Sequence, residues 1–322
     1  MPSNPHSIGG QAVIEGVMVR APEAVATAVR TPDKGITVKV EPYVALSKRC
    51  RVLNLPLLRG AVSFFEMLVI GIRTLRYSAD VAMKEETQEA EEKEGEEMPT
   101  KRQAFLSDLL LGGSLVLALT LGVGLFFFFP LFIAQLLHVQ RGALAFNLIA
   151  GGIRIAIFLT YLWAISRWKD IRRIFEYHGA EHKSIFAYEA GEELTVERTR
   201  KYSTLHPRCG TSYLLIVAAL AILVFSVTDA LFVVVFGHIQ NLGQRFLTHL
   251  IFLPLVAGTS YELLKISGKR REHAVTRCLI APGLWLQKIT TREPDDEQLE
   301  VALVALKSAL KEGEFAAENA KA

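Results

Sequence analysis

The chain has 322 residues, is 51% hydrophobic and 21% charged, and carries a formal net charge of +3. Its mean hydropathy of +0.29 is concentrated in a few long runs, which excludes an ordinary soluble enzyme, and no basic patch interleaved with aromatics marks a nucleic-acid surface. Three scattered cysteines, Cys50, Cys209 and Cys278, offer no disulfide framework and fit a reducing compartment.

The N-terminal stretch lacks the basic-then-apolar layout of a signal peptide. Residues 8–50 alternate β-branched residues with turn signals, which predicts a small sheet with a hairpin around Pro32–Gly35. The β-rich region is taken as 1–55. From Pro56 to about residue 80 the chain is apolar but interrupted by Arg59, Glu66 and Arg73 at heptad spacing. That pattern predicts an amphipathic helix, interfacial or core-packed, with one polar stripe. Residues 81–105 contain a Glu-rich run without apolar period, expected as a solvated linker.

Four later runs are long and apolar enough to span a bilayer, which takes about 20 residues. They are Leu106 to about Leu137, kinked at Pro130, then Leu144–Ser166, Tyr213–Phe236 and Phe246–Leu264. They group as 106–166 and 211–264, separated by a cytoplasmic helical insertion, 167–210, and followed by a C-terminal region, 265–322. Lys and Arg crowd the N-terminal region, the insertion and the segment after the fourth run, whereas the other connections hold only Arg141 and Arg245. The positive-inside rule therefore places the N-terminus, the insertion and the C-terminus in the cytoplasm, with the lipid bilayer as a partner. The fold class expected is a predominantly α-helical, multi-pass protein of a bacterial inner membrane, with four spans and a small cytoplasmic β region. Arg154 and Asp229 fall at similar depth in spans two and three and are expected to form an intramembrane ion pair. "REPDDEQLEVALVALKSALKEG" predicts a cytoplasmic amphipathic helix, capped by Asp295 or Asp296 and ending near Gly313.

The chemistry-bearing stretch begins at His178. Residues 168–190 are free of helix breakers except Gly179, and Gly191 is a natural stop. At 3.6 residues per turn His178 and His182 stack on one face with Ile171, Ile174, Phe175 and Ile185, and Arg172, Glu176 and Lys183 point away. Glu181 stands on the shoulder of that face. Two imidazoles one turn apart can hold a zinc-like divalent ion, and a neighbouring carboxylate can take a proton from water. "HPRCG" adds His206 and Cys209 from a turn, and Glu262 at the cytoplasmic end of span four is a further carboxylate within reach. The bland readings are a histidine-bearing packing helix, a structural metal clip with all four positions filled, and a Cys/His nucleophile pair.

"IGGQAVIEGVMVR", "FEYHGAEHKSIFAYE", "YSTLHPRCGTS" and "ITTREPDDEQLEVAL" together resemble the YqhQ-like family of bacterial membrane proteins. The resemblance runs from about Ile8 to about Leu306 and implies a predicted metal-dependent enzyme without an assigned substrate. The positions that match are Glu15, His178, Glu181, His182, His206 and Cys209. The expectation is a membrane hydrolase with a cytoplasmic site, zinc at His178, His182 and one or two of His206, Cys209 or Glu262, and Glu181 as general base. Its substrate, a protein or a small molecule, is left open. The alternative is a non-catalytic membrane scaffold or assembly factor with a structural metal.

Overall fold

A computed structural model describes residues 8–50, 52–83, 113, 116–137, 144–269 and 274–319. The acidic linker beyond residue 83, most of the start of the first predicted span and its connection to the second lie outside the described residues. The chain divides into two compact units, one of Met1–Lys84, Leu162–Val217 and Pro254–Ala322, the other of Glu85–Tyr161 and Ala218–Leu253.

The first unit is built on four strands, β1 (Gly9–Val13), β2 (Gly16–Arg20), β3 (Ala24–Arg30) and β4 (Ile36–Pro42), paired antiparallel in sequence order. Val13 pairs with Gly16 across a two-residue turn. Glu15 takes a positive φ of 50° there, the left-handed conformation such tight turns impose. The predicted second hairpin forms at Thr31–Gly35, where the N–H of Thr31 bonds the Gly35 carbonyl.

Side chains alternate across a sheet, and here each face meets a different partner. Val13, Met18 and Val25 face α1 (Leu58–Ala82), packing with Met67 and Ile70. Val17, Val19, Ala26 and Ala28 face the other way, onto α4 (Lys169–Glu189) and α9 (Asp296–Asn319), joining Tyr177, Ala180, Leu299, Ala302 and Leu306 in one core. (The intervening labels α2 and α3 belong to Val116–Leu136 and Leu144–Ile165.) Each fully buried leucine of this core contributes about 1.5–3 kcal/mol of transfer free energy. The C-terminal helix is therefore a core element. Asp295 caps it reciprocally with Gln298, each side chain accepting the other's backbone N–H at 2.8 and 3.0 Å. It continues past Gly313, because one glycine costs a helix only about 1 kcal/mol.

Helix α1 differs from its predicted pattern. Its fully buried positions are mostly small residues, Gly60, Ala61, Gly71, Thr74 and Ser78, with Val81 near its end. Arg59 is bound to Glu262, and Glu66 accepts the N–H of Leu46 at 3.0 Å. Phe65, Leu68, Val69, Ile72 and Leu75 are the exposed face. Small residues were needed where backbones meet: a Cβ on Gly60 would lie 2.9 Å from the Gly258 Cα.

Among the described residues four helices are long and apolar enough to cross a membrane: α2, Phe146–Ile165 within α3, Tyr213–Phe236 within α6 (Gly210–Phe236) and Leu242–Lys265 within α7 (Leu242–Lys269). The fourth begins four residues before the predicted Phe246, because Asn241 and Gln244 cap it reciprocally, at 2.8 and 3.1 Å. Among the described residues there are also α5 (Val196–Arg200), α8 (Ala274–Thr290), and two single turns before α1, Leu46–Arg49 and Val52–Asn54.

Inside the second unit the expected Arg154–Asp229 pair gives way to another arrangement. Asp229 on α6 is bound by two residues one turn apart on α7, Arg245 at 2.7 Å and His249 at 3.1 Å. Arg154 instead donates from Nε to the carbonyl of Phe126 at 2.7 Å. In an α-helix that carbonyl accepts the N–H of residue 130, and Pro130 has none. The backbone around it is a π turn over Gly124–Phe128. Depth counted along two helices could not reveal these partners, because it carries no information about rotation around the helix axes.

Candidate metal centre

Helix α4 supplies the first part of the site. It stops at Gly191, which takes a positive φ of 70°, with the N–H groups of Gly191 and Glu192 returning to the carbonyls of Tyr188 and Ala187. The chain turns back through α5, and the segment 201–209 lies against α4. It ends at Cys209, one residue before α6.

His178, His182 and Cys209 come together there, one ligand atom from each lying within 4.8 Å of the other two. Nε2 of His178 stands 3.1 Å from the Cys209 Sγ. The opposite nitrogens are both engaged by backbone. Nδ1 of His178 lies 2.8 Å from the Thr290 carbonyl at the end of α8, and Nδ1 of His182 lies 2.5 Å from the Thr204 carbonyl. A carbonyl only accepts, so each imidazole carries its proton on Nδ1 and presents the Nε2 lone pair to the cluster. This is the outer arrangement that fixes a metal-binding histidine. His182 and Cys209 are buried, and His178 is half-buried.

Burial, aided by neighbouring His178, holds the His182 imidazole below its ordinary value. Burial alone would raise the Cys209 thiol, but the His182 ring when protonated at Nε2, a proton that a metal would replace, and the Thr211 hydroxyl and N–H outweigh it and hold the thiol below its usual range. Thiolate character is what metal binding requires of a cysteine. Glu181 is 5% exposed, and burial pushes its carboxyl up to about 8, against the opposing pull of His178 and the N–H of Gly10. Its Oε2 is buried without a hydrogen-bond partner. Strand β1 leaves room for it only because residue 10 is glycine: a Cβ there would sit 2.8 Å from the carboxylate.

The other sequence-predicted residues are placed as follows. His206 lies outside the group of three. Its ring packs on Phe186 at 4.4 Å, 5.6 Å from the His182 ring, and its backbone N–H and C=O are both bonded by the Gln287 side chain. Its Nδ1 accepts the N–H of Arg208 at 3.3 Å, and Nε2 is 3.6 Å from Glu189, which also pairs with Arg208. Glu262 is held by Arg59 at 2.6 Å, which engages the carboxylate instead of leaving it to reach the cluster. Glu15 pairs with Arg173 and accepts from the Tyr177 hydroxyl at 3.2 Å, tying the β1–β2 turn to α4. Lys183, expected to point outward, is buried: its ammonium donates to the Arg200 carbonyl at 2.7 Å and pairs with Glu293. The segment after α8 covers the face that a lone helix would show to water.

Sequence reasoning missed the carbonyls of Thr204 and Thr290, since a backbone acceptor has no residue-type signature. A trace of the second was present in Gly179. An added Cβ there would collide with the carbonyl of Arg292, and the N–H of that residue donates to the Phe175 carbonyl at 2.9 Å. The glycine lets the chain that carries Thr290 lie directly on α4.

The chain resembles the uncharacterized protein YqhQ of Bacillus subtilis (strain 168), with 32% identity over 325 residues covering 98% of this chain and 96% of the relative. No solved structure matches it. A family model described as protein of unknown function (DUF1385) matches residues 55–312, which hold α4, the cysteine turn and Thr290. By the extent of both matches, the chain belongs to the DUF1385 family, the family of YqhQ.

Proposed function

We propose that the protein is a metal-dependent enzyme of the cytoplasmic membrane, a hydrolase with its site on the cytoplasmic side, in which His178, His182 and Cys209 hold a zinc-like ion and Glu181 is the general base. The observation that carries this reading is the convergence of two Nε2 lone pairs and one sulfur, with both Nδ1 protons fixed by carbonyls. The donor set fits: imidazole and thiolate suit zinc, and three protein ligands are the usual number where an ion acts in catalysis. Such an ion would supply Lewis acidity to a carbonyl or phosphoryl group. Glu181 contributes a proton-accepting atom, Oε2, that no protein group occupies. A cation beside it favours the ionised carboxylate that a base requires. The distribution of Lys and Arg supports the cytoplasmic orientation.

The test is metal content by elemental analysis of the purified full chain, with complementation of a deletion strain. Glu181→Gln should keep the metal and lose function, since loss of a general base costs about 10²–10⁴-fold. His178→Ala, His182→Ala and Cys209→Ala should each lose the metal. Full complementation by Glu181→Gln would remove the hydrolase reading, and a metal-free wild type would remove the metal. The burial of His182 and Cys209 favours a second reading, a structural clip in a scaffold. In that case the Cys209 variant unfolds the unit with loss of metal, and Glu181→Gln is silent.

A further inference from the structure

The described residues of the second unit carry three formal charges, Arg154, Arg245 and Asp229. Asp229 is consumed by Arg245 and His249. Arg154 is left with a neutral carbonyl and no carboxylate among the described residues, and the two guanidiniums repel each other. Among the described residues of this unit one positive charge is in excess. Arg154 stands ten residues from the start of α3 and eleven from its end. That is about 15 Å from either end at about 1.5 Å per residue, too deep for its side chain to reach an interface. A cation at that depth is costly unless an anion or water meets it.

A second feature adjoins it. The Phe127 ring has the Arg154 guanidinium 6.0 Å from its centroid and the His249 ring 5.9 Å away. His249 is 6% exposed, stacked flat on Phe225 at 4.0 Å. In the tautomer that donates Nε2–H to Asp229, its Nδ1 is a lone pair, and that atom is buried with no partner. A buried acceptor left unmet costs about 1–3 kcal/mol.

We infer that Arg154 and His249 flank a binding site, inside the membrane-spanning part, for an anionic amphiphile: a singly protonated phosphate monoester carried on hydrocarbon chains. The guanidinium takes the anionic oxygens, His249 Nδ1 accepts from the remaining P–OH of the phosphate monoanion, and the chain lies among the exposed apolar side chains of the helices. A free inorganic anion would have to shed its hydration to reach this depth, whereas an amphiphile arrives already partitioned into the bilayer. The site is independent of the metal centre.

The experiment is thermal unfolding of the full chain in neutral detergent, titrated with oleate, dioleoyl phosphatidate, oleyl alcohol or inorganic phosphate. Dioleoyl phosphatidate should raise the midpoint in a saturable way; oleate, a carboxylate with no O–H for His249 Nδ1, should act at least tenfold more weakly, and the alcohol and inorganic phosphate should have no effect. Arg154→Gln should weaken the response at least tenfold. Because Arg154 also holds the Phe126 carbonyl, His249→Leu is the second variant, and it should weaken the response about tenfold in a chain that keeps that hydrogen bond. Equal shifts from oleyl alcohol and dioleoyl phosphatidate would mean an apolar groove without anion recognition. Saturation by inorganic phosphate would mean a water-open ion site. Either result, no shift with any of the four, or unchanged affinity in both variants overturns the proposal.

Discussion

At the residue scale the least conspicuous position is the most constrained. Replacing Gly179 by alanine in an exposed helix would stabilise it by about 1 kcal/mol. Here the added methyl meets the carbonyl of Arg292, a residue whose N–H donates to the Phe175 carbonyl and so holds its backbone in place. Overpacking of that kind costs about 1–3 kcal/mol, so the clash outweighs the propensity gain. Gly179→Ala should lower the thermal midpoint. It should also reduce bound metal, because displacing Arg292 moves the Thr290 carbonyl away from His178 Nδ1. A variant with unaltered midpoint and metal content would show that the segment following α8 does not lie on α4 in solution. His178, His182 and Cys209 were legible by residue type and spacing. The carbonyls that orient them were not, since any residue can offer one.

At the scale of elements, α6 and α7 are joined by Asp229 reaching two residues on one face of α7. Removing the carboxylate strands Arg245, which is 3% exposed, and breaking a buried pair from one side costs about 3–5 kcal/mol. Asp229→Ala should therefore reduce yield and thermal stability. Adding Arg245→Leu should recover part of the loss, and adding Arg154→Leu should not, its own effect being additive. Recovery by the Arg154 change in place of the Arg245 change would restore the pairing expected from depth alone. The same scale explains why α1 was only half legible. Its charged heptad positions were visible in the sequence, but which face is buried depended on Gly60 meeting Gly258 and Ser78 accepting the N–H of Ile14 at 3.2 Å. With those contacts made, Met67 and Ile70 meet the sheet while Phe65, Leu68, Val69, Ile72 and Leu75 turn outward.

For the molecule as a whole, the four apolar helices and the uneven distribution of Lys and Arg make one prediction together. Reporter fusions after Gly142 and Gly243 should signal an extracytoplasmic position, and fusions after Gly191 and Gly313 a cytoplasmic one. A cytoplasmic signal from Gly142 would remove the four-span topology, and with it the assignment of the metal centre to the cytoplasmic side. The prediction depends on hydropathy and charge alone, so it is independent of whether a metal binds.

Hydrophobic run length, period and turn chemistry determined on their own that this chain would form long apolar helices, a small N-terminal sheet and a helix carrying two histidines one turn apart. These are local properties, set by what a backbone must satisfy within a few residues of itself. Only the tertiary structure decided that Cys209 joins the two histidines while His206 packs on Phe186, that Glu262 goes to Arg59, that Lys183 is buried and that Asp229 is taken by Arg245 and His249. Each of those outcomes is a choice among several side chains of suitable chemistry. Such choices turn on helix rotation and on where one backbone can approach another, which sequence spacing does not encode.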